Sequence, residues 1–155
     1  MNFETEVAKA YNRYFKEHNI DALAYRFEKS SRFTIQPCDV LIDSGNPTYY
    51  LAIECKSMAL NGQKPLYFSS NFRDPTKKIK HQVERMYDFC GITGRRGVLA
   101  VELYKQPESR NAFLIPFQEI FVLWKRGRPG VSLKTIRDGT PLEWKGAYST
   151  GHYSF

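Results

Sequence analysis

The chain has 155 residues, which is enough for one domain with its own hydrophobic core and too few for two. Lysine and arginine number 23 against 16 acidic residues, and the net charge of +7 favours a polyanionic partner without indicating a fold. The three cysteines include no Cys-x-x-Cys pair, which disfavours a disulfide framework or zinc site and favours a reducing compartment. No apolar run approaches membrane length and acidic residues closely follow Met1, so we expect a soluble, cytoplasmic protein with no membrane partner.

The first predicted element is a helix over residues 2–18, because apolar side chains recur there at helical spacing. Glu4 and Glu6 fall in its first turn, where a carboxylate suits the positive end of the helix dipole. Both lie at the flanks of the apolar stripe, so the spacing does not choose between them. A short strand over residues 21–26 and a basic loop over residues 27–36 follow.

Two neighbouring strands are predicted over residues 36–43 and 49–56, joined by the turn-forming sequence Ser-Gly-Asn-Pro. Side chains alternate across a strand, so Glu54 and Lys56 lie on one face. Pairing of the two strands would bring Asp39 beside Glu54. Two carboxylates and one ammonium would then share a patch suited to Mg²⁺, which prefers oxygen ligands. A nearby lysine can orient or activate the attacking water, so the pattern predicts metal-assisted cleavage of a phosphodiester.

The strand that carries Glu54 is predicted to be buried on both faces, because residues 51–53 form a continuous apolar run. Charged groups on such a strand must be paired or metal-bound. The alternative is a salt-bridged hairpin on the surface, since Glu-x-Lys is common on solvated strands. That hairpin should alternate cleanly between polar and apolar side chains, which this strand does not.

A loop with one extended piece over residues 65–69 is predicted over residues 57–72, and a second helix after it. The dipeptide Asp74-Pro75 predicts the start of that helix, with the aspartate as N-cap, and Gly91 should end it just after Cys90. Five residues form its predicted core face: Ile79, Val83, Met86, Tyr87 and Cys90.

Strands are predicted over residues 97–104 and 111–117, with a turn at 106–110, and a short helix over residues 117–126. The remainder, residues 127–155, is basic with aromatic side chains at intervals. It is either an irregular arm packed on the core or a surface for DNA or a partner subunit.

The pattern Pro37-x-Asp39 followed by Glu54-x-Lys56 resembles the PD-(D/E)XK nuclease signature, with Cys38 standing between the proline and the aspartate. The order of the surrounding elements is similar to that of the Holliday-junction resolvases of this superfamily. The likeness is strongest to the bacterial RecU type and extends to the archaeal resolvases.

The resemblance covers nearly the whole chain. Glu6 has the offset of the family's first-motif glutamate, which favours it over Glu4. Residues 80–86 resemble the family's helix with a His-Gln pair and a following methionine. Residues 113–117 and the tail from 132 to 148 are also similar, whereas the loop before Asp39 is shorter than the protruding stalk of RecU.

The resemblance implies an α/β fold with a restriction-endonuclease-like core, in which helices flank a central mixed β-sheet. The whole chain, residues 1–155, would be a single nuclease domain with 127–155 as its basic aromatic arm. The implied activity is Mg²⁺-dependent, symmetric nicking of four-way junctions in recombination and repair by a homodimer, and Mn²⁺ would substitute for Mg²⁺. Another restriction or repair endonuclease of the same fold, or a non-catalytic DNA-binding accessory protein, remains an alternative.

The candidate catalytic residues are expected to converge at one edge of the sheet. Asp39 and Glu54 would bind Mg²⁺, with the backbone carbonyl of Cys55 as a further ligand. Glu6 would hold a metal-bound water or a second ion, and Lys56 would position the attacking water.

Gln82 is a further catalytic candidate that would orient the attacking water or the DNA backbone, with an ordinary surface glutamine as the alternative. Six basic residues are candidates for DNA binding: Lys29, Arg32, Arg73, Lys77, Lys78 and Lys80. Two further clusters, Arg95-Arg96 and Lys125-Arg126-Arg128, are candidates for phosphate contact.

Overall fold

The computed structural model describes residues 2–27, 36–72, 80–106, 109–144 and 148–149. Four α-helices are present in these ranges: α1 (Phe3–Glu17), α2 (Gln82–Thr93), α3 (Phe117–Lys125) and α4 (Leu133–Arg137). The strands are β1 (Ala22–Arg26), β2 (Val40–Ser44), β3 (Leu51–Ala59), β4 (Leu66–Tyr67), β5 (Arg96–Gln106), β6 (Ser109–Pro116), β7 (Gly130–Val131), β8 (Thr140–Trp144) and β9 (Tyr148–Ser149). Among the described residues, no helix combines the length and apolar composition that a membrane crossing requires.

Seven strands form one mixed sheet in the order β1-β2-β3-β5-β6-β8-β9. Only the central β3–β5 pair is parallel, and α2 lies in the connection between these two strands. The pairs β1–β2, β2–β3 and β5–β6 are antiparallel, as are the pairs that add β8 and β9. The predicted α/β fold with a central mixed sheet flanked by helices is therefore confirmed, including the restriction-endonuclease-like order of helix, three antiparallel strands, helix and parallel strand.

Two apolar layers cover the two faces of the sheet. On one face, α1 packs against alternate side chains of β2, β3 and β5. The N-terminus of this helix is capped by Asn2, whose side chain accepts a hydrogen bond from the backbone N–H of Thr5. On the other face, α2, α3 and α4 pack over the side chains of the sheet that point in the opposite direction. The first five residues of β3 are all buried, which confirms a strand covered on both sides rather than a surface hairpin.

The second helix differs from its prediction at both ends. It begins at Gln82, with His81 as N-cap. The predicted start at Asp74 lies outside the described residues, and the helix does not extend back over residues 80 and 81, which are described and not helical. The helix passes through Gly91, ends at Thr93 and is capped by Gly94, whose φ of 77° is the left-handed conformation that glycine adopts without strain. The prediction chose Gly91, the first glycine after the apolar stripe, but the next glycine, Gly94, makes the turn.

The exposure of Tyr87 also contradicts the predicted core face of α2. The side chain is 40% exposed and stacks on Phe121 of α3 with 3.7 Å between ring centroids. Val83 and Met86 are fully buried, as predicted. The face that enters the core is therefore narrower than the apolar stripe in the sequence.

Two further boundaries were predicted wrongly. Strand β3 continues to Ala59, because it stays paired with β5 as far as Tyr104, so the predicted loop begins later than residue 57. The described part of the C-terminal arm is not irregular. It contains β7, α4, β8 and β9, and Leu142 of β8 pairs with Ala112 to extend the main sheet.

Candidate active site

Asp39 lies just before β2, directly across from β3. Its backbone N–H donates to the carbonyl of Ile53 at 3.0 Å, and its Oδ2 accepts from the backbone N–H of Cys55 at 2.8 Å. These two bonds fix the carboxyl group beside residue 54, because they bracket that residue on the neighbouring strand. The strand pairing expected from the sequence therefore places Asp39 and Glu54 together.

Glu54 is 2% exposed and is held by two side chains on the α2 face of the sheet. Its Oε1 accepts from Nε2 of Gln82 at 2.7 Å and forms an ion pair with Nζ of Lys56 at 2.9 Å. Nζ of Lys56 also donates to Oε1 of Gln82 at 3.1 Å, which closes a triangle of three side chains. The ring of Phe72 lies 4.9 Å from Nζ of Lys56 and adds a cation–π contact.

The second oxygen of Glu54 is in a different situation from the first. Oε2 is buried and has no hydrogen-bond donor among the described residues, and a hydrogen bond joins the side chains of Glu54 and Asp39 when Glu54 carries a proton. Leaving a buried carboxylate oxygen unpaired costs free energy, and the neighbouring carboxylate of Asp39 adds to that cost. The arrangement is stabilised when a proton or a cation is shared between the two carboxylates.

The acidities of the two carboxyl groups reflect this environment. Burial raises the pKa of Glu54 to about 8, with Lys56 opposing the rise and the charge of Asp39 adding to it. Burial also raises the pKa of Asp39, against the lowering effects of the Cys55 N–H bond and the Lys56 charge. The negative charge of Glu4 raises the pKa of Asp39 further. Both carboxyls therefore hold protons more tightly than usual.

The donor set fits one hard divalent cation. Magnesium ions are commonly held by one or two carboxylates, with water and phosphate completing the octahedron. Asp39 and Glu54 supply the carboxylates, one of them with an unpartnered oxygen. Within the described residues, no group of three or more His, Cys, Asp or Glu side chains is preassembled as a metal site. The backbone carbonyl of Cys55 remains a predicted ligand, since it lies on the same strand between Glu54 and Lys56.

The structure does not bring Glu6 to this group. Both of its carboxylate oxygens lie 3.4 Å from Nη1 of Arg110, and Glu102 is another charged neighbour. Glu4 is the acid of α1 whose charge acts on Asp39, where it raises the pKa of the carboxyl. Two residues apart on a helix means about 200° of rotation, so only one of the two acids can face the site.

A second buried acid on β5 was not singled out from the sequence. Glu102 is 5% exposed, and its Oε1 accepts from the hydroxyl of Ser57 at 2.7 Å. Its Oε2 accepts from the hydroxyl of Tyr148 at 2.6 Å and lies 3.8 Å from Arg110. Burial and the bond to Glu102 raise the pKa of Tyr148 well above its usual value. The sequence signal that could have identified Glu102 is its place as the one acid within the apolar run of β5.

Most of the predicted DNA-binding residues lie outside the described part of the chain: Lys29, Arg32, Arg73, Lys77 and Lys78. Lys80 is exposed and pairs with Asp88 at 3.0 Å. Arg95 is not available to phosphate, because its side chain is 9% exposed and its guanidinium binds Asp43 and the carbonyls of Ile42 and Leu51. It ties the far ends of β2 and β3 together and stacks over Tyr50.

No protein-family model and no curated protein matches the chain. Among solved structures, the chain is similar to Hjc of Archaeoglobus fulgidus, a Holliday junction resolvase from an archaeal hyperthermophile. The two share 20% sequence identity with a TM-score of 0.48, over 85% of this chain and 93% of the other. Activity depends on site residues rather than on a shared fold, so a likeness of this size does not assign one.

Proposed function

We propose that the chain is a metal-dependent endonuclease that hydrolyses phosphodiester bonds in branched DNA. The observation that carries the proposal is the unequal environment of the two Glu54 oxygens. Lys56 and Gln82 occupy Oε1, whereas Oε2 is buried without a donor among the described residues, in a site where a proton on Glu54 is shared with the carboxyl of Asp39. A cation between the two carboxylates would complete this arrangement.

Asp39 and Glu54 would hold Mg²⁺, with Mn²⁺ as a substitute. When bound, the ion supplies Lewis-acid polarisation of the phosphoryl oxygen and lowers the pKa of a water molecule. Lys56 would place its ammonium near the charge that develops on the phosphate. Gln82 keeps Lys56 and Glu54 in one arrangement, because its amide donates to one and accepts from the other.

The proton on Glu54 couples metal binding to pH. With a pKa of about 8, this carboxyl is mostly protonated at neutral pH when no cation is present. Binding of a cation requires the ionised form, so it releases a proton and is favoured by rising pH. Activity should therefore increase with pH at subsaturating Mg²⁺, and the increase should move to lower pH as the Mg²⁺ concentration rises.

The finer proposal is that the substrate is a four-way junction and that the enzyme is a homodimer. The order of the Asp39 and Glu54-x-Lys56 motifs resembles that of the resolvases, and the net charge of +7 suits a polyanion. Resolution needs paired cuts in two strands, and each chain carries one such site. A two-fold dimer presents two equivalent sites and is the commonest homo-oligomer. An enzyme with this substrate would work inside the cell.

The test is cleavage of a synthetic four-way junction, compared with linear, nicked and flapped duplexes of the same sequence, in Mg²⁺ and in EDTA. Paired nicks in the junction alone, absent in EDTA, support the proposal. Equal cleavage of linear or flapped duplex indicates another endonuclease of this fold. No cleavage of any substrate with Mg²⁺ or Mn²⁺ would leave a non-catalytic DNA-binding module.

The dimer is tested with mixed dimers of wild type and Asp39→Asn. They should nick one strand and leave the junction unresolved, because only one of their two sites is intact. A protein that stays monomeric at micromolar concentration, on a junction as well as free, would contradict the homodimer.

A further inference from the structure

Both ring nitrogens of His81 are engaged with the backbone. Nδ1 accepts a hydrogen bond from the backbone N–H of Val83 at 3.2 Å, which caps the N-terminus of α2. Nε2 lies 2.9 Å from the carbonyl oxygen of Phe68. Because an N–H only donates and a carbonyl only accepts, the ring is the neutral tautomer with its proton on Nε2.

The faces of the same ring are also fixed. The indole of Trp124 stacks on His81 with 4.0 Å between ring centroids and an interplanar angle of 16°. Phe68 and Phe72 approach from other sides, each 6.3 Å from the imidazole by ring centroids. Two directional hydrogen bonds and a stacked aromatic ring leave His81 a single orientation.

His81 is joined directly to Gln82, the first residue of α2. The Gln82 side chain bridges Nζ of Lys56 and Oε1 of Glu54, so its position decides which carboxylate oxygen stays without a partner. The fully buried Val83 anchors the helix on the other side of Gln82. The start of α2 is thus held in place immediately before and immediately after the residue that reaches the site.

We propose that His81 is a positioning residue for cleavage: it fixes Gln82 so that Oε1 of Glu54 is occupied and Oε2 would be left to bind a cation. This inference rests on the proposed nuclease function. A displacement of about 1 Å in a supporting group costs on the order of 10²-fold in rate. His81 touches neither carboxylate itself in the described contacts, so its effect passes through Gln82.

A double-mutant cycle in single-turnover cleavage tests this route. His81→Ala should lower the cleavage rate about 10- to 100-fold with a smaller change in junction affinity, because the geometry of the site is lost rather than its charge. In a Gln82→Ala background the same change should have little further effect. Equal losses in both backgrounds would overturn the proposal.

The conservative variant His81→Asn should recover most of the rate. Asparagine is a favoured N-cap, with an oxygen to accept from Val83 and an amide to donate towards Phe68. The matched control is Asn46→Ala, which removes a comparable cap from the turn between β2 and β3, where Oδ1 accepts from Thr48 at 3.1 Å. It should lower Tm and leave the cleavage rate unchanged. If His81→Ala lowers only Tm, as the control does, His81 is a structural cap and the proposal is wrong.

A measurement that does not need cleavage separates this inference from the proposed function. The side-chain amide resonances of Gln82 in ¹⁵N NMR spectra should shift in His81→Ala and return towards wild type in His81→Asn. A wild-type protein without nuclease activity would sink the proposed function while these spectra still reported on the positioning. Unshifted amide resonances in His81→Ala would refute the positioning, whatever the activity.

Discussion

The sheet holds two buried carboxylates, Glu54 on the α2 face and Glu102 on the α1 face, and they differ in how many of their oxygens have hydrogen-bond donors. On the α1 face, Ser57 and Tyr148 donate to separate oxygens of Glu102, and Arg110 lies beside one of them. On the α2 face, Lys56 and Gln82, the two donors to Glu54, bind the same oxygen. A buried acid with both oxygens satisfied has a structural role, whereas one with an unpartnered oxygen beside a second acid is suited to a cation.

Substitutions in the incompletely neutralised group should have the largest effect. Asp39→Asn or Glu54→Gln should remove most cleavage while the fold remains, because each weakens the cation site without removing volume. Lys56→Ala should cost roughly 10²–10⁴-fold in rate if the ammonium assists proton transfer. Single-turnover cleavage and circular dichroism check both parts. Near-wild-type rates for all three variants would end the nuclease proposal.

Substitution of the fully neutralised acid should affect stability instead. Glu102→Ala removes the acceptor that the buried Tyr148 hydroxyl and the exposed Ser57 hydroxyl now share, and should lower the free energy of unfolding by about 1–3 kcal/mol. Urea unfolding measures this loss, and cleavage should persist wherever the variant is folded. If Glu102→Ala instead abolished cleavage in a protein of unchanged stability, the division between the two faces would be wrong.

Glu4 and Glu6, both in the first turn of α1, test whether each acid belongs to the candidate site or to the Glu102 group. Glu4→Gln should lower the cleavage rate by about tenfold, since it removes a negative charge near Asp39 that attracts a cation, and this loss should outweigh the lower pKa of Asp39 that the change also brings. Glu6→Gln should chiefly weaken the contact with Arg110 and cost stability. The opposite ranking in cleavage assays would restore the assignment of Glu6 made from the motif offset.

The stability of the metal-free protein should depend on pH through Glu54. Its folded pKa of about 8 lies above the ordinary value of 4.5, so the folded state binds the proton more tightly. This group therefore lowers the free energy of unfolding as pH rises from about 4.5 to about 8, by at most about 1.4 kcal/mol per pH unit. Urea unfolding at pH 5 and pH 8 should show a smaller difference in Glu54→Gln. Identical pH dependence in both proteins would contradict the raised pKa.

Local sequence patterns predicted the part of the site that depends on strand periodicity. The apolar run before Glu54 identified a doubly buried strand, and alternation placed Lys56 on the same face. Pairing across the short turn then located Asp39. The resemblance, rather than the pattern, named Gln82 as a candidate, and the structure gives it two bonds.

The remaining site features depend on contacts that no local pattern encodes. Tyr148 meets Glu102 from 46 positions further along the chain. His81 acts as an N-cap through its ring, although Asp74-Pro75 offered the stronger local signal for a helix start. Whether Glu4 or Glu6 is turned towards Asp39 depends on the rotation of α1 about its axis, which packing decides.

The connection between β3 and β5 has a consequence for the order in which the protein folds. Gln82 stands 28 residues after Glu54 and reaches it only when α2 has crossed the sheet. Parallel pairing closes a long stretch of chain before it gains contacts, so it is a slow step. The triangle of Glu54, Lys56 and Gln82 is therefore expected to form late in refolding. It should also be lost early in unfolding, when the start of α2 loosens while the antiparallel hairpins are still paired, and so a partly folded chain would be unable to cut DNA.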